Sequence, residues 1–407
     1  MYLLIIMVKQ KTHVMVVILA SLIMLGAVYV IGHDEYTSLK NAQKGDTVVF
    51  TGLCVYSKGD FSILTNGYET VMIYRNLTEG RVYAIKGKLT DKERRALYPL
   101  EIENGSAEEL LISNLSGVYW MDYNCYILIP QKVKLNRCLN IQKGVEVNAE
   151  GVFYGNTFYV LSFEVGNFLT EPKDGFPYRV EGIVINNGTP TVIWNGKEKI
   201  RVYLPYKFHL DLGDKVEILG IVRLYSTLTL YVNSPDDIKL IGKAKRKPLG
   251  EENVGDIAYG SCQVVKSGRS LGLNCTGLKL YSFSARIGDI IKFEALRRES
   301  SLVCLNCLVE LPREKLENSI CSPERAGIIK IEGNVSWVKI YKNGFGLANI
   351  TNGDCWILVK LKKSLNLEFK ENQTVTAFGV YTTYRGKPAL EVYSREDVCL
   401  ENSCLGS

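Results

Sequence analysis

Histidine is scarce in this sequence, with 3 in 407 residues. Because histidine is the side chain that most often acts as a general base and as a metal ligand, its scarcity argues against acid–base catalysis and ordinary metal sites. A glycine-rich phosphate loop leading into a helix is absent as well. Carboxylates are plentiful, but no close pair stands out from solvated strand positions. The sequence therefore predicts no metal, no cofactor and no catalytic residue.

One motif formally matches the nucleophile elbow of hydrolases. Gly268, Ser270 and Gly272 spell G-x-S-x-G, but the elbow needs a strand, a sharp turn and a helix, followed by an acid and then a histidine. Strand-like segments lie on both sides here, and His209 precedes the motif. We interpret the motif as a hairpin turn and predict that the protein is not an enzyme.

The N-terminus carries a long apolar run. Residues 14–32 are 19 consecutive uncharged residues, which as a helix span roughly 29 Å, about one hydrocarbon core. Two lysines precede the run and two acidic residues follow it, which keeps the lysines in the cytoplasm. No A-x-A site precedes His33, which favours an uncleaved anchor over a cleavable signal peptide. Residues 1–33 are predicted to form a cytoplasmic tip and signal anchor of a single-pass cell-membrane protein; whether translation starts at Met1 or Met7 stays open.

Cysteines and sequons agree with an extracytoplasmic body. The 11 cysteines suit an oxidising compartment. N-x-S/T sequons are more frequent than the roughly three expected by chance, although Asn, Ser and Thr are also common in β-turns. The predicted glycosylation sites are Asn76, Asn104, Asn114, Asn187, Asn274, Asn334, Asn349 and Asn372.

A short phrase recurs along the chain: a turn, an alternating strand and then another strand. Its clearest copy spans residues 210–232, where a turn at Gly213 and Asp214 leads into alternating apolar positions. Such alternation followed closely by a second alternating run indicates two adjacent strands. The other copies begin at Gly80, Gly144, Gly288 and Asn372. A recurrence at about 60 to 80 residues predicts an array of copies of one small unit.

The body is therefore predicted to be all-β, with five small units in tandem. The predicted units cover residues 45–112, 113–169, 175–242, 254–316 and 325–400. Stretches rich in proline, glycine and charge at 170–177 and 242–253 are interpreted as linkers. The basic residues at 243–247 are interpreted as a solvated charge run rather than as an anion site.

The units resemble the OB-fold, a small Greek-key barrel of five strands. The resemblance is carried by a glycine in the first strand, a Gly-Asp turn before the fourth and a glycine within the fourth. In the third unit these are Gly182, Gly213, Asp214 and Gly220, and in the fifth Gly333 and Gly379. A side chain at the mid-strand positions would clash where a small barrel's strand bends across itself. The sequence departs from the family in lacking a clear helix after the third strand and in having Ala295 in the fourth unit; tandem β-sandwiches are the alternative.

Three pairs of cysteines are predicted to form disulfides. Cys262 and Cys275 flank a two-residue turn and would lie opposite each other across a hairpin, a geometry that a disulfide can meet. Cys125 and Cys138 have the same separation. We also expect a small loop to be closed at the C-terminus by Cys399 and Cys404.

The remaining cysteines leave alternatives open. Cys304 and Cys307 spell C-x-x-C, but without a second such motif or a nearby histidine a structural disulfide or buried thiols are favoured over zinc. Because the number of cysteines is odd, at least one thiol is free or intermolecular, and the candidates are Cys54 and Cys355.

Exposed aromatic side chains are the remaining candidates for function. The OB resemblance implies that oligomers bind on the face of strands two and three and the loops beside it, through rings that stack on bases or sugars. The candidate ligand-binding residues are Tyr119, Trp120 and Tyr123 in the second unit, Trp194, Lys199, Arg201 and Tyr203 in the third, and Trp337, Lys339, Tyr341 and Trp356 in the fifth. Any one ring could instead be a core residue or a cross-strand pair. Only several rings on one exposed face would indicate a site.

These features lead to one functional prediction with two alternatives. The net charge of +6 permits an anionic partner without pointing to one. We predict a non-enzymatic, membrane-tethered binding protein, and the resemblance implies single-stranded nucleic acid or an oligosaccharide as its ligand. The alternatives are a glycosylated spacer or adhesion stalk that contacts envelope proteins, and an accessory subunit of an envelope enzyme. Abundant Glu and Lys with little Gln predict a heat-adapted, archaeal source.

Overall fold

The structure is a computed structural model. It describes residues 38–129, 131–324, 327–401 and 403–404. Within these ranges the regular structure is almost entirely β, with 29 strands and five 3-10 helices of three residues each. The chain divides into two compact units, Met1–Phe168 and Leu169–Ser407.

The predicted single-pass membrane localisation is contradicted. Among the residues that the structure describes, no helix is long and apolar enough to cross a membrane. The apolar segment on which the prediction rested, 14–32, lies outside the described residues.

The first compact unit contains two sheets. Sheet 1 consists of β1 (Thr47–Lys58), β2 (Phe61–Thr65), β3 (Thr70–Ile73), β4 (Val82–Asp91) and β5 (Ala96–Asn104). Sheet 2 consists of β6 (Ser113–Met121), β7 (Cys125–Ile129), β8 (Gln131–Leu135), β9 (Val145–Tyr154) and β10 (Thr157–Phe168). Both sheets are closed barrels, and a 3-10 helix at Ala107–Glu109 lies between them in the chain.

The second compact unit contains three sheets. Sheet 3 consists of β11 (Pro177–Asn186), β12 (Thr191–Trp194), β13 (Lys199–Tyr203), β14 (Asp214–Leu224), β15 (Leu228–Tyr231) and β16 (Ile238–Lys243). Sheet 4 consists of β17 (Arg246–Pro248), β18 (Ile257–Lys266), β19 (Leu271–Leu273), β20 (Thr276–Tyr281), β21 (Ile290–Arg297) and β22 (Ser301–Leu311). Sheet 5 consists of β23 (Ile328–Ile340), β24 (Gly346–Asn352), β25 (Cys355–Leu361), β26 (Thr374–Tyr384), β27 (Lys387–Glu391), β28 (Val398–Leu400) and β29 (Ser403–Cys404). The other 3-10 helices are Pro235–Asp237, Arg313–Lys315, Lys363–Leu365 and Arg395–Asp397.

Every sheet contains the same closed circuit of five strands. The first strand of the circuit pairs antiparallel with both the second and the fourth, as β23 does with β24 and β26. The third strand pairs parallel with the fifth, as β25 does with β27. This circuit is consistent with tandem OB-like barrels. Each of the five circuits lies within one of the five predicted ranges, in the same order along the chain. The domain boundaries themselves stay predictions.

The recurring phrase of the sequence corresponds to one repeated hydrogen bond. In each sheet a residue with positive φ, just before the fourth strand, donates its backbone N–H to a carbonyl of the first strand at 2.8 or 2.9 Å. The donor and acceptor pairs are Gly80 and Cys54, Gly144 and Tyr119, Gly213 and Val184, Gly288 and Val264, and Asn372 and Val335. Four donors are glycine because only glycine adopts this conformation without a steric cost. The turn therefore fixes where the fourth strand begins on the first.

Close backbone contacts explain the mid-strand glycines. A Cβ at Gly379 would lie 2.4 Å from the carbonyl oxygen of Glu391, and one at Gly151 would lie 2.1 Å from that of Tyr159. Both distances are shorter than any real Cβ contact, so neither strand could cross its neighbour so closely with a side chain. Sheet 4 has the fully buried Ala295 at this position.

The predicted linker at 242–253 is partly a strand, which corrects that interpretation. Residues Arg246–Pro248 form β17 and pair parallel with β18. Carboxylates neutralise most of the basic run: Lys243 contacts Asp214 at 2.5 Å, Lys247 contacts Asp256 at 2.7 Å, and Arg246 pairs with Glu294. These ion pairs therefore stabilise a sheet edge, and the segment is not a free connector.

All three predicted disulfides are present in the structure. They join Cys125 to Cys138, Cys262 to Cys275 and Cys399 to Cys404, and Cys304 is bonded to Cys307. The interpretation of Cys355 as a free thiol was wrong, because it is bonded to Cys321, 34 residues earlier. Five disulfides suit an oxidising compartment.

Cys54 is the free thiol, and it is buried. Its Sγ lies 3.6 Å from the carbonyl oxygen of Tyr56, and burial raises the pKa of the thiol above its ordinary value of 9.0. Because the thiolate is the reactive form, Cys54 should be inert in the folded chain.

We expect iodoacetamide at pH 8 to leave Cys54 unmodified in the native protein and to modify it in guanidinium, as measured by peptide mass spectrometry. Rapid labelling of the native protein would contradict this.

Within each compact unit, neighbouring sheets dock through one recurrent face. The residue after the carbonyl acceptor described above is a β-bulge residue in sheets 1, 3 and 4: Val55, Ile185 and Val265. Tyr159 of sheet 2 donates its hydroxyl to the Val55 carbonyl at 3.0 Å, and Arg298 of sheet 4 donates Nε to the Ile185 carbonyl at 2.7 Å. Val265 packs in an apolar cluster with residues of sheet 5. We call this surface, on the second half of the first strand and the adjoining second strand, the docking face.

A buried ion pair reinforces the contact between sheets 4 and 5. Arg313, which follows β22, donates Nη1 to Asp397 at 2.8 Å and Nη2 to the carbonyl of Glu396 at 2.6 Å. Both charged side chains are almost completely buried. The guanidinium also lies 4.6 Å from the ring centroid of Phe378. Losing one partner would leave the other charge buried and unpaired.

Arg313→Ala should therefore lower the free energy of unfolding by about 3–5 kcal/mol. The exposed Arg223→Ala, which breaks a surface pair with Asp174, is the matched control and should cost no more than about 1 kcal/mol. Guanidinium unfolding followed by tryptophan fluorescence measures both. The double change Arg313→Met with Asp397→Leu should regain most of the loss, and an Arg313→Ala cost equal to that of the control would refute the role of the pair.

Candidate functional site

The outer surface of sheet 5 carries a groove of about 450 Å³. Side chains from three neighbouring strands and one hairpin line it. They are Trp337, Lys339 and Tyr341 from β23 and the loop after it, Leu347, Asn349 and Thr351 from β24, Trp356 and Leu358 from β25, and Tyr384, Arg385 and Lys387 from the β26–β27 hairpin.

The strand register brings these side chains onto one face. Alternate residues of a strand point to the same side of a sheet, so residues 347, 349 and 351 of β24 share the outward side. Asn349 lies directly opposite both Trp337 and Leu358, and Thr351 lies opposite Trp356. The bulge at Ser336 shifts the alternation of β23, and this places Trp337 beside Asn349.

Two hairpin turns form the walls of the groove. Arg385 and Gly386 both have positive φ and connect β26 to β27 in a two-residue turn, in which Tyr384 faces Lys387. Gly344 turns the chain between β23 and β24, where Tyr341 donates its backbone N–H to the Phe345 carbonyl at 2.8 Å. Tyr341, Phe345 and Tyr384 pack on a small apolar cluster, which gives both walls a rigid base.

Aromatic rings and cations alternate in the groove. Lys387 lies 5.9 Å from the Trp356 ring, Lys339 lies 5.3 Å from Tyr341, and Arg385 lies 5.5 Å from Tyr384. Trp337 and Trp356 are 39% and 38% exposed, so their rings remain available to a ligand. No carboxylate lines the groove, and among the described residues none of its three cations forms an ion pair. The groove therefore combines exposed aromatic rings with positive charges that no carboxylate of its lining neutralises.

Four of the predicted ligand-binding residues meet in this groove: Trp337, Lys339, Tyr341 and Trp356. Sequence reasoning missed Tyr384, Arg385 and Lys387, and it singled out Asn349 only as a glycosylation site. The Arg-Gly pair at Arg385 and Gly386, within an alternating run, could have predicted the tip of a β-hairpin. That this tip lies beside Trp356 follows only from the parallel pairing of β25 with β27.

The candidates in sheet 3 do not form a comparable surface. Trp194 packs in a cluster with Leu296 of sheet 4, and Lys199 forms an ion pair of 2.6 Å with Glu299. The docking face of sheet 3 is thus covered by sheet 4. Arg201 is exposed, and Tyr203 stacks on Tyr231 with a centroid separation of 4.8 Å.

The candidates in sheet 2 are mostly buried, which corrects their interpretation as surface residues. Trp120 is completely buried, with Lys143 Nζ 3.9 Å from the centre of its ring. Tyr119 is also buried, and its hydroxyl contacts Cys125 Sγ at 3.3 Å. Tyr123 is fully exposed but lies alone in the turn before β7.

The sequons differ in accessibility. Asn349 is partly buried within the groove, and the other predicted glycosylation sites are exposed: Asn76, Asn104, Asn114, Asn187, Asn274, Asn334 and Asn372. Glycosylation itself stays a prediction. A glycan on Asn349 would occupy the groove, because this side chain lies between Trp337 and Leu358.

Comparisons with known proteins leave the family open. No protein-family model and no curated protein matches the chain. Three solved structures are similar in part. The p204 HINb domain has a TM-score of 0.21 at 9% identity and covers 35% of this chain and 97% of its own. A multidomain protein with nucleic acid binding domains from Streptococcus pneumoniae has a TM-score of 0.13 at 13% identity, covering 46% and 73%.

Drosophila Unr CSD456 has a TM-score of 0.17 at 10% identity and covers 65% of this chain and 98% of its own. TM-scores of this size carry no argument about fold or function. The functional argument therefore depends on the groove itself.

Proposed function

We propose that the protein is a non-enzymatic binding protein built of five OB-like barrels, and that the groove on sheet 5 binds single-stranded nucleic acid. The observation that carries the proposal is the convergence, on one face without a carboxylate, of two exposed tryptophans and three cations that form no ion pair within the described part of the chain. This face belongs to the first three strands of the circuit and the loops beside them, where OB barrels bind oligomers.

The chemistry of a single strand fits both components of the groove. Unpaired bases expose flat faces, and stacking on an aromatic side chain contributes about 1–3 kcal/mol per base. The phosphates between the bases are anionic, and lysine and arginine displace their counterions. A neutral oligosaccharide would use the rings but would leave Lys339, Arg385 and Lys387 without partners. The charge balance therefore favours nucleic acid over an uncharged glycan.

Protein docking is the second candidate, because the groove occupies the docking face of sheet 5. Val335 accepts the repeated turn hydrogen bond in sheet 5, as Cys54, Val184 and Val264 do in sheets 1, 3 and 4. The residue that follows it, Ser336, is therefore equivalent to the aliphatic bulge residues of those three sheets. Those sheets present valine or isoleucine to the next sheet. Sheet 5 has the polar Ser336 beside Trp337. The change from aliphatic to polar and basic residues favours an anionic ligand over a further barrel.

Removing either tryptophan should weaken binding. Trp337→Ala and Trp356→Ala are each expected to raise the Kd for a mixed-sequence 12-nucleotide DNA strand by about 5- to 150-fold, because each loses one stacked base. Fluorescence anisotropy with a labelled strand measures this. Trp194→Phe, in the contact between sheets 3 and 4, is the control and should leave the Kd unchanged. Wild-type affinity in both alanine variants would contradict the proposal.

The salt dependence tests the role of the cations. Lys387→Ala should reduce the slope of log K against log salt by about 0.7, the contribution of one phosphate contact on a single strand. Lys370→Ala removes an exposed lysine that lies outside the groove, in the loop between β25 and β26, and its slope should equal that of the wild type. Binding that is insensitive to salt, or tighter binding to a neutral glycan, would refute a nucleic-acid ligand.

A further inference from the structure

We propose that the cleft between sheets 1 and 2 is a second binding site, which takes a small molecule with one ammonium group and two carboxylates, as in acidic amino acids and acidic dipeptides. The proposal does not depend on nucleic-acid binding by sheet 5. The cleft has a volume of about 470 Å³, a size typical of small-molecule sites. Both of its walls belong to the first compact unit.

Backbone hydrogen bonds hold both walls of the cleft in place. In the wall from sheet 1, Gly80 donates its N–H to the Cys54 carbonyl at 2.8 Å, which is the repeated turn bond of that sheet. In the wall from sheet 2, Asn136 donates its backbone N–H to the Phe158 carbonyl at 3.0 Å. Asn136 Oδ1 also accepts from the backbone N–H of Val160 at 3.0 Å. The walls are therefore formed before a ligand arrives, which lowers the entropic cost of binding.

A carboxylate lies in the wall from sheet 1. Glu79 directly precedes the turn glycine, and its Oε1 accepts from the backbone N–H of Ser57 at 2.7 Å. Within the described part of the chain, Glu79 Oε2 accepts no hydrogen bond. Burial, and after it the Glu79 charge, raises the pKa of the Tyr159 hydroxyl, which donates to the Val55 carbonyl where the two sheets meet. The carboxylate is therefore near this junction and keeps one oxygen for a ligand.

Two cations lie in the wall from sheet 2. Leu135 is buried in the core of its barrel, so Lys134 beside it points outward. Lys134 pairs with Thr157 across the parallel strands, and Tyr159 is two residues further along β10. Lys134 therefore lies on the side of the sheet that meets sheet 1. Arg137 follows in the turn after β8, and both cations are exposed and line the cleft.

The three charges of the cleft do not neutralise one another. Among the described residues, Glu79, Lys134 and Arg137 form no ion pair. A simple anion would pair with the cations but would be repelled by the carboxylate, and a simple cation would meet the reverse problem. A molecule with one ammonium group and two carboxylates supplies a partner to each charge through charge-assisted hydrogen bonds. The charge pattern therefore favours an acidic zwitterion.

Isothermal titration calorimetry of the full chain at pH 7.5 and low salt tests this site. Glutamate carries all three charges, and alanylglutamate carries the same charges on a longer molecule, so at least one of the two should bind. Glutarate lacks only the ammonium group of glutamate, and 4-aminobutyrate lacks only one carboxylate. Each should bind about 10- to 150-fold more weakly than glutamate, because each loses one hydrogen-bonded charge pair.

One variant isolates the carboxylate. Glu79→Gln should weaken glutamate binding and strengthen glutarate binding, because the ammonium loses its partner and the repulsion of the second acid disappears. Glu103→Gln changes an exposed carboxylate of β5 outside the cleft, and it should keep the wild-type preference for glutamate. Arg137→Gln should weaken glutamate binding by about 10- to 150-fold.

Three results would overturn the proposal. The first is the absence of binding by both glutamate and alanylglutamate. The second is equal affinity of the wild type for glutamate and glutarate, which would leave the carboxylate without a role. The third is a preference for glutamate that persists unchanged in Glu79→Gln, which would place the binding site elsewhere.

Discussion

One backbone hydrogen bond, repeated in every sheet, organises this protein. It runs from a residue with positive φ before the fourth strand to a carbonyl of the first strand. The bond fixes the register in which the first and fourth strands close the circuit. In sheets 1, 3, 4 and 5 the residue that follows the acceptor is the bulge residue, so the same bond also sets which side chains project beyond the circuit. Closure and docking are thus consequences of one local constraint.

The docking face explains why sheet 5 differs from the others. In sheets 1, 3 and 4 it meets the next sheet through the carbonyls of Val55 and Ile185 and through packing of Val265. In sheet 5 the same position holds a groove that contains rings and cations. A glycine allows the strands beneath the groove to approach each other closely. A Cβ at Gly333 would lie 2.3 Å from the carbonyl oxygen of Thr351, a residue that lines the groove. The fold therefore positions the groove at the surface that it otherwise uses for docking.

Much of the fold was predictable because it is encoded locally. Turn glycines, alternating strands and cysteine pairs 13 residues apart are all features of short segments. The bond between Cys321 and Cys355 was not predictable, because it depends on tertiary contact over 34 residues. Trp120 and Trp337 look alike in the sequence, yet the first is buried and the second exposed, a difference that the alternation of a single strand does not reveal. The heat-adapted, archaeal source stays a prediction.

The most direct measurement of the central claim is hydrogen–deuterium exchange of the full chain with and without a mixed-sequence DNA strand. The account predicts slower exchange in β23 to β25 and in the hairpin that contains Arg385, with little change in sheets 1 to 4. Slower exchange confined to another sheet, with sheet 5 unchanged at saturating DNA, would contradict it.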